Sequence, residues 1–335
     1  MTGYAVGLHF MGEVEKENYA VKSTEILKYL NKIKTRVYIK SAPIHTKEAE
    51  ITEGPALEAT PASYSDREGY QEAFLGNKFR VPIPAIVQNK QSVLKFKADG
   101  KTASELKYHH FSVVMNKQRR MCFFSICNID GQQSKRGVAR VSWKRDPRVA
   151  AKMQIKDECY GNPPKFARGH MTRKEDPIWG GLNAARAACA DTFHVTNATP
   201  QMQPFNAPVW LALEDYALEN ARQDDMKITV ITGPIYRNDD PLKFGVKIPV
   251  EFFKVIAFIH DKTKKLCATC YSVSQADYLT SEEFVYGEFK TYQVSIKSIE
   301  TKTGIDFGRL ADIDPIRGEE AISTALMSVD EIVFY

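Results

Sequence analysis

The sequence lacks any segment that would carry the chain into or across a membrane. Its start, MTGYAVGLHFMGEVEKE, has no basic region, no long apolar region and no small-residue cleavage site, and it turns acidic by Glu13. No run approaches the roughly 18 apolar residues that a membrane span needs. These absences predict a cytoplasmic protein with no membrane partner, or a secreted protein if a leader has been removed.

The cysteines are too few and too scattered to predict a disulfide framework. CATC, at Cys267 and Cys270, is half of a zinc motif, and the sequence offers no second CxxC or HxxxH to complete it. In a strand these two side chains would point to opposite faces, so we interpret them as structural thiols. His109 and His110 likewise have no partner that the sequence identifies. The six cysteines, all expected to be reduced, are Cys122, Cys127, Cys159, Cys189, Cys267 and Cys270.

The net charge of +5 does not identify a partner, because 46 Lys and Arg nearly balance 41 Asp and Glu. The distribution is more informative, since the segment 134–174 contains twelve basic and three acidic residues, a local excess of +9. This excess predicts a surface for a polyanion, although a solvated charged face would have the same composition. The basic residues are Lys135, Arg136, Arg140, Lys144, Arg145, Arg148, Lys152, Lys156, Lys165, Arg168, Arg173 and Lys174.

The first 63 residues differ in pattern from the rest of the chain. Apolar residues within 26–33 recur at three- and four-residue spacing among Lys and Glu, which predicts an amphipathic helix. The stretch 41–63 carries three prolines among small and acidic residues without periodicity, which is typical of a linker. We therefore predict an N-terminal extension over 1–63, serving regulation or interaction, and one catalytic domain over 64–335.

Strand and helix patterns in 64–335 predict a mixed fold rich in sheet. Runs of apolar, β-branched and aromatic residues indicate strands, and Gly, Pro and Asp-Lys turns separate them. The first two strands, joined by a polar turn at 117–119, form a predicted hairpin. The predicted strands are HHFSVVMN, RMCFFSICNID, FARGHM, TFHVTNA, MKITVITGPIY, VKIPVEFFKVIAFIHD, KLCATCYSVSQ and a final EIVFY that is an edge strand or a docking tail. The predicted helices are 183–190, a helix that Pro204, Asn206 and Pro208 introduce and that runs through Leu218, and 319–327.

The stretch 166–214 concentrates the candidate site residues. His170 follows Arg168 and Gly169 at the end of a predicted strand in the basic segment. An imidazole with a pKa of roughly 6.5 is mostly unprotonated at neutral pH and can take a proton from water. Arg168 offers a planar fork of donors for the charge on a five-coordinate phosphorus. Asn197 could orient the imidazole or bridge to a phosphate, or it could be a turn residue at a strand end.

Two oxygen-bearing side chains follow on a predicted helix. Asn206 offers a hard oxygen suited to Mg²⁺, which accepts few protein ligands, although Asn before Pro208 also fits a helix N-cap. Glu214 lies eight residues on, a rise of roughly 12 Å and a rotation of about 80°, which is too far for both to bind one ion directly. Because helical side chains lean toward the N-terminus, Glu214 can hold a metal-bound water, or it is an exposed helix carboxylate.

In order and spacing, these motifs resemble the DNA/RNA non-specific endonucleases with a ββα-metal site, also called His-Me finger nucleases. The resemblance is carried by RGH at 168–170, TNATPQ at 196–201, Asn206 and WLALE at 210–214, and it covers roughly 64–318. Further matching pieces are DREGYQEAFLG, NIDG, VITGPIY and IPVEFFKVI. The resemblance implies an α+β fold with a central, mostly antiparallel sheet flanked by helices.

The resemblance also implies roles for individual residues. The family motif begins with Asp, as DRGH, whereas this sequence has Ala167, so a carboxylate beside the arginine is missing. The implied roles are His170 as general base, Arg168 as transition-state clamp with Asn197 in support, Asn206 as direct ligand of one Mg²⁺ or Mn²⁺, Glu214 as ligand through water, Arg140 or Arg145 as a second family arginine, and Arg140, Arg145, Arg173 and Lys174 as nucleic-acid contacts.

These inferences predict a metal-dependent endonuclease that hydrolyses phosphodiester bonds of DNA, RNA or both with little sequence preference. Such an activity inside a cell needs restraint. We therefore expect a regulatory or immunity partner, or self-association through 1–63, as in a defence effector or a toxin. Two alternatives stay open: a nuclease-fold module that binds nucleic acid without cleaving it, which the missing aspartate allows, and a subunit of a larger assembly.

Overall fold

The computed structural model describes much of the second of the two units into which the chain divides, Glu58–Tyr335. The amphipathic helix and linker predicted for 1–63 lie outside the described residues, apart from Thr60, so the N-terminal extension stays a prediction. The final EIVFY lies outside them too. The described residues are 60, 64–98, 100–155, 157–162, 164–202, 214, 217–219, 221–276, 291–316 and 324–326.

Most regular elements of the described residues are strands. Among these residues, no helix has the length and apolar character that crossing a bilayer requires. The strands are β1 (Ala85–Ile86), β2 (Phe96–Ala98), β3 (Lys101–Ala103), β4 (Glu105–Lys107), β5 (Phe111–Asn116), β6 (Met121–Asp130), β7 (Phe166–His170), β8 (Ala198–Met202), β9 (Lys227–Ile235), β10 (Leu242–Lys243), β11 (Val246–Lys247), β12 (Glu251–Ile259), β13 (Leu266–Ser274), β14 (Thr291–Val294), β15 (Ile305–Asp306) and β16 (Thr324–Leu326). The helices are α1 (Leu182–Thr192) and α2 (Ile296–Thr303), and residues 214, 217–219 and 221–223 are also helical.

Eight antiparallel strands form the central sheet, in the order β16-β14-β13-β12-β9-β6-β5-β4. β5 and β6 are the predicted hairpin, and β9, β12 and β13 occupy the three strands predicted in the last third of the chain. Four two-stranded ribbons complete the strand pairing of the described residues: β1-β15, β2-β3, β7-β8 and β10-β11. The predicted central, mostly antiparallel sheet is therefore confirmed.

Both faces of the sheet are covered, which explains why its strands are almost continuously apolar. Successive side chains of a strand point to opposite faces, so Phe252 packs in one core layer and Phe253 in the other. The layer that contains Phe252 also contains Phe166 of β7, Met171 directly after β7, and Met202 of β8. The predicted site therefore lies on this face of the sheet.

The strand predicted for TFHVTNA is wrong. α1 continues through Thr192, a 3-10 turn follows over Val195–Asn197, and β8 begins only at Ala198. The Asn197 side chain explains the shift, because its hydrogen bonds to the backbone of Thr172 and Thr192 hold this segment as a turn before strand pairing starts. The predicted helix at 183–190 lies within α1 and is confirmed.

The helix predicted over 319–327 is wrong where the structure describes it. Thr324–Leu326 forms strand β16, which pairs with β14 so that Leu326 lies opposite Thr291. At the edge of the sheet these residues form backbone hydrogen bonds to β14, whereas a short helix without tertiary packing is only marginally stable. Long-range pairing has therefore overridden the local pattern.

The structure shows the surroundings of the six cysteines and of His109 and His110, for which the sequence identified no partner. All six cysteines are free thiols, and all except Cys267 are buried. The backbone N–H of His109 donates to Oδ2 of Asp191 at 3.0 Å. The His110 ring stacks on that of Trp179 with centroids 3.4 Å apart. His109 and His110 therefore each have a partner that the sequence did not identify.

Candidate active site

Two antiparallel strands and a helical segment form a unit on one side of the sheet. β7 pairs with β8, so that His170 lies opposite Ala198 and Arg168 lies opposite Pro200. The helical residues that include Glu214 follow β8 in the chain. This is the strand-strand-helix order that the family resemblance implies.

Gly169 leaves room for a side chain of β8 to lie across β7. A Cβ at this position would lie 1.9 Å from Oε1 of Gln201, which is far inside contact distance. The Gln201 side chain occupies that space and lines the cleft described below. A larger residue between the arginine and the histidine of the RGH triplet would therefore displace the Gln201 side chain from its position across the strand.

Asn197 ties this unit to α1 from a fully buried position. Its Oδ1 accepts a hydrogen bond from the N–H of Thr172 at 2.9 Å. Its Nδ2 donates to the carbonyls of Thr172 and Thr192 at 2.9 and 3.0 Å, and its own carbonyl accepts from the N–H of Met171 at 2.9 Å. Asn197 thus fixes the backbone directly after His170. Its side chain contacts only backbone groups in these hydrogen bonds, and it is not among the residues that line the cleft described below.

A cleft of about 700 Å³ opens beside β7. The RGH triplet and Glu214 both line it, so the fold brings together residues that lie up to 46 positions apart in the chain. Basic side chains outnumber acidic ones in the lining, which makes the cleft a suitable place for a polyanion. The charged residues of the lining are Arg140, Arg168, Arg173, Lys174, Glu175 and Glu214.

His170 stands at the wall of this cleft between two aromatic rings. Its ring centroid lies 4.5 Å from that of Trp143 and 5.0 Å from that of Phe193. Its Nε2 is buried and has no hydrogen-bond partner among the described residues. Burial lowers the pKa of His170 to about 3, and the positive charges of Arg140 and Lys174 act in the same direction. The imidazole is therefore neutral at pH 7.

Arg168 is held at the cleft by a carboxylate from outside its own strand. Its Nη2 donates to Oδ1 of Asp157 at 2.7 Å, and its guanidinium carbon lies 4.9 Å from the ring centroid of Tyr160. Because Asp157 is 86% exposed, this ion pair contributes little to stability. It nevertheless supplies an acid beside the arginine, although Ala167 stands where the family motif has aspartate.

Glu214 lines the cleft and is held by a buried lysine. Nζ of Lys254 lies 3.1 Å from Oε1 of Glu214 and 3.0 Å from Oγ1 of Thr232, and Lys254 is only 2% exposed. Buried Asp176 lies near this pair: burial raises its pKa to about 6, while Lys254 and Arg173 oppose the shift. A buried lysine needs a carboxylate to compensate its charge. Glu214 is therefore a positioned group rather than a solvated helix carboxylate.

The donor set of the cleft fits an ion that keeps most of its waters. The described residues contain no cluster of three or more His, Cys, Asp or Glu that could hold a metal ion. Mg²⁺ does not require such a cluster, because one or two protein oxygens, waters and substrate phosphates complete its shell. Glu214 is 18% exposed in the lining, with Lys254 holding one of its oxygens. Asn206, the predicted direct ligand, lies outside the described residues.

Three of the four predicted nucleic-acid contacts line the cleft, namely Arg140, Arg173 and Lys174. Arg145 is exposed and lies outside this lining. Both Arg140 and Arg145 were candidates for the second arginine of the family. The guanidinium carbon of Arg140 lies 5.5 Å from the centroid of Phe193, the ring that also packs against His170. The geometry therefore favours Arg140.

Sequence reasoning missed several residues that shape this site. Lys254 had a signal, because a lysine inside the apolar run EFFKVIAFI is buried in a sheet with two covered faces and needs an acidic partner. Trp143, Asp157 and Asp176 had no such signal. They lie outside the α-helices and strands, and only the path of the folded chain brings Trp143 to the cleft, Asp157 to Arg168 and Asp176 near Lys254.

Comparison with known proteins adds a family match. The family model described as DNA/RNA non-specific endonuclease matches residues 89–312. The uncharacterized protein y4fB of Sinorhizobium fredii is 37% identical over 281 residues, which is 77% of this chain and 42% of that protein. A protein named Nuclease from Nostoc sp. is 28% identical over 151 residues, covering 45% of this chain and 52% of that protein.

Mitochondrial endonuclease G of Homo sapiens is also similar, with 30% identity over 103 residues. The match covers 27% of this chain and 33% of that protein. The chain therefore spans about half or less of the length of the curated relatives that it matches. The matched residues 89–312 include all the charged residues of the cleft lining.

Proposed function

Since the chain belongs to the DNA/RNA non-specific endonuclease family, we propose that it hydrolyses phosphodiester bonds of DNA, RNA or both. The observation that carries the proposal is the position of His170. Its neutral imidazole, whose Nε2 has no hydrogen-bond partner among the described residues, lies in the wall of a cationic cleft. A proton acceptor beside positive charge suits the attack of water on a phosphate.

The cleft would bind its substrate through the sugar-phosphate backbone. Arg140, Arg173 and Lys174 present positive charge around His170. Contacts of this kind position a strand without reading its sequence, and they weaken as salt increases. The proposed enzyme therefore has low sequence preference and cleaves more slowly at high ionic strength.

In the proposed reaction, His170 takes a proton from a water molecule whose oxygen forms the new bond to phosphorus. The bond from phosphorus to the leaving oxygen breaks on the opposite side, and that oxygen takes up a proton from solvent. The guanidinium of Arg168 offsets the extra negative charge on the five-coordinate phosphorus. Asn197 keeps the imidazole in place through the backbone of residues 171 and 172.

Members of this family depend on a metal ion, and we propose Mg²⁺ or Mn²⁺ for this chain. Asn206 would bind the ion directly, and Glu214 would bind it through water. When bound, the ion supplies Lewis-acid stabilisation of the charge on the scissile phosphate. The role of Lys254 is to hold Glu214 in one orientation, through the 3.1 Å contact between Nζ and Oε1.

Removal of divalent ions tests the proposed function. We expect the protein to nick and degrade plasmid DNA or a long RNA in Mg²⁺, and we expect EDTA to lower the rate by about 10²-fold or more. Added Mg²⁺ or Mn²⁺ should restore cleavage. An equal rate with and without EDTA would contradict the metal dependence, and no cleavage with any divalent ion would contradict the hydrolase.

The second candidate function is a nucleic-acid binding module without catalysis, which Ala167 favours. The contact between Arg168 and Asp157 weakens this alternative, because an acid still orients the arginine. The same assay distinguishes the two functions. A module would shift the mobility of DNA in a gel and leave it intact in every divalent ion.

We also propose that residues 1–63 restrain the enzyme by binding a regulatory or immunity partner or a second copy of the chain. The amphipathic pattern at 26–33 motivates this proposal, since an apolar helix face requires a covering surface. Light scattering of the full chain would detect self-association. If the chain is a monomer at all protein concentrations, self-association is excluded and the proposal reduces to binding of a different protein. Copurification from the native host would test for that protein.

A further inference from the structure

The hairpin β10-β11 carries an aromatic residue at an unfavourable backbone conformation. Lys243 pairs with Val246, so Phe244 and Gly245 form the two-residue turn. Both have positive φ, 45° and 76°. A two-residue turn of this kind favours Asn-Gly, because a bulky residue in the left-handed region is strained. Phenylalanine therefore occupies a position that the turn alone would not select.

Packing holds the Phe244 side chain in a fixed place. A Cβ on Gly161 would lie 3.0 Å from Cζ of Phe244, so the ring rests on the bare backbone of that glycine. Its edge meets the ring of Phe166 at a centroid distance of 6.1 Å and an angle of 74°. Nη2 of Arg120 donates to the Gly245 carbonyl at 2.8 Å and anchors the turn. The ring is thus held in place while 44% of Phe244 stays exposed.

This aromatic surface lies beside the candidate active site. Phe166 contacts Phe244 and also lines the cleft, and β7 runs from Phe166 to His170. Four residues of strand span about 13 Å, a distance of a few nucleotides along a strand. Exposed Lys243 is next to Phe244, and exposed Lys165 precedes Phe166. The two lysines therefore place positive charge next to both Phe244 and Phe166 in the chain.

We propose that Phe244 stacks on an unpaired base of the strand whose phosphate lies at His170. This proposal rests on the proposed nuclease function and gives it a substrate preference, for single-stranded or locally opened nucleic acid. A rigid exposed ring next to a cationic groove is the combination that binds single strands without reading sequence. Paired bases of a duplex do not offer a face to such a ring. Strain at Phe244 is retained because the aromatic surface serves substrate binding.

Phe244→Asn separates this role from a structural one. Asparagine suits the turn better, which offsets the lost packing on Gly161 and Phe166, so we expect a melting temperature close to that of the wild type. Affinity for a labelled single strand of about 12 nucleotides, measured in EDTA to prevent cleavage, should fall about tenfold. Binding of the matching duplex should change less than about twofold. Phe244→Trp should keep the wild-type affinity for the single strand.

Leu242→Ala is the matched control, because Leu242 is a 68% exposed apolar residue of the same hairpin. It should leave both affinities unchanged. If Phe244→Asn does not fold, Phe244→Leu keeps an apolar contact with Gly161 and removes the aromatic face. Unchanged single-strand affinity, or equal loss for single strand and duplex, would overturn the proposal. Binding is measured without metal and does not depend on cleavage. A protein that never cleaves DNA or RNA would contradict the nuclease function, but the single-strand affinities of the variants would still test the role of Phe244.

Discussion

His170→Ala should lower kcat for phosphodiester cleavage by about 10²–10⁴-fold, the range expected when a general base is removed. In the proposed mechanism the imidazole accepts the proton, and it lies in the cleft wall between Trp143 and Phe193. KM should change little, because binding depends on basic residues that stay in place. Initial rates on a fluorescent oligonucleotide in saturating Mg²⁺ would measure both parameters.

His260→Ala is a matched control for this substitution. His260 lies directly after β12, before the turn that leads to β13, outside the cleft lining. Its replacement should leave kcat within about twofold of the wild-type value. A His170 variant that cleaves at the wild-type rate would contradict the role of general base. A loss of rate together with a lower melting temperature would require correction for the folded fraction.

The depressed pKa of His170 also predicts the pH dependence. Burial lowers it to about 3, with Arg140 and Lys174 adding to the effect, so protonation of this imidazole should not reduce kcat between pH 8 and about pH 5. In the unfolded chain the same group titrates near pH 6.5. The unfolded state therefore binds more protons between these values, and the free energy of unfolding decreases as pH falls through this window.

Urea unfolding of wild type and His170→Ala at several pH values would measure this linkage. The wild type should lose more stability than the variant between pH 7 and pH 5. Burial lowers the pKa of His194 to about 4, and that group gives the same sign of pH dependence in both proteins. An identical pH slope in wild type and variant would show that His170 titrates alike in the folded and unfolded chains.

Arg168→Ala should lower kcat by about 10²–10³-fold, the range found when a charged or polar stabiliser of the transition state is removed. Arg168→Lys keeps the charge but loses the planar fork of donors, so it should recover only part of the rate. Stability should change little. The side chain is 29% exposed and its ionic partner, Asp157, is 86% exposed.

Exposed Arg186 on α1 provides the control, since Arg186→Ala removes a charge outside the cleft lining. Arg186→Ala should leave kcat unchanged, and any effect should be limited to the salt-dependent binding of nucleic acid. Asp157→Asn tests the orienting carboxylate and should reduce kcat less than Arg168→Ala does. Wild-type kcat in Arg168→Ala would remove the arginine from the mechanism.

Local patterns predicted the sheet well, because its strands carry their own signal. β6, β9, β12 and β13 are long apolar runs, which only a sheet with two covered faces can bury. The same reasoning failed for TFHVTNA and for Thr324–Leu326. In these places a side-chain-fixed turn and pairing at a sheet edge decide the conformation, and neither depends on local propensity.

The site shows the same division. The RGH triplet and Glu214 were identified from residue chemistry together with the family resemblance, and the fold brings them to one cleft. Their immediate partners were not identified. Lys254 reaches Glu214 from β12, and Asp157 reaches Arg168 from outside its strand.

The sequence by itself determined the strands of the sheet, the chemical groups of the site and the family to which the chain belongs. Periodicity, charge and short motifs carry this information within windows of a few residues. Only the tertiary structure decided that His170 lies between Trp143 and Phe193, that Lys254 holds Glu214 and that Phe244 faces solvent beside the cleft. Such contacts join segments distant in the chain. They depend on the path of irregular connections, which no local pattern encodes.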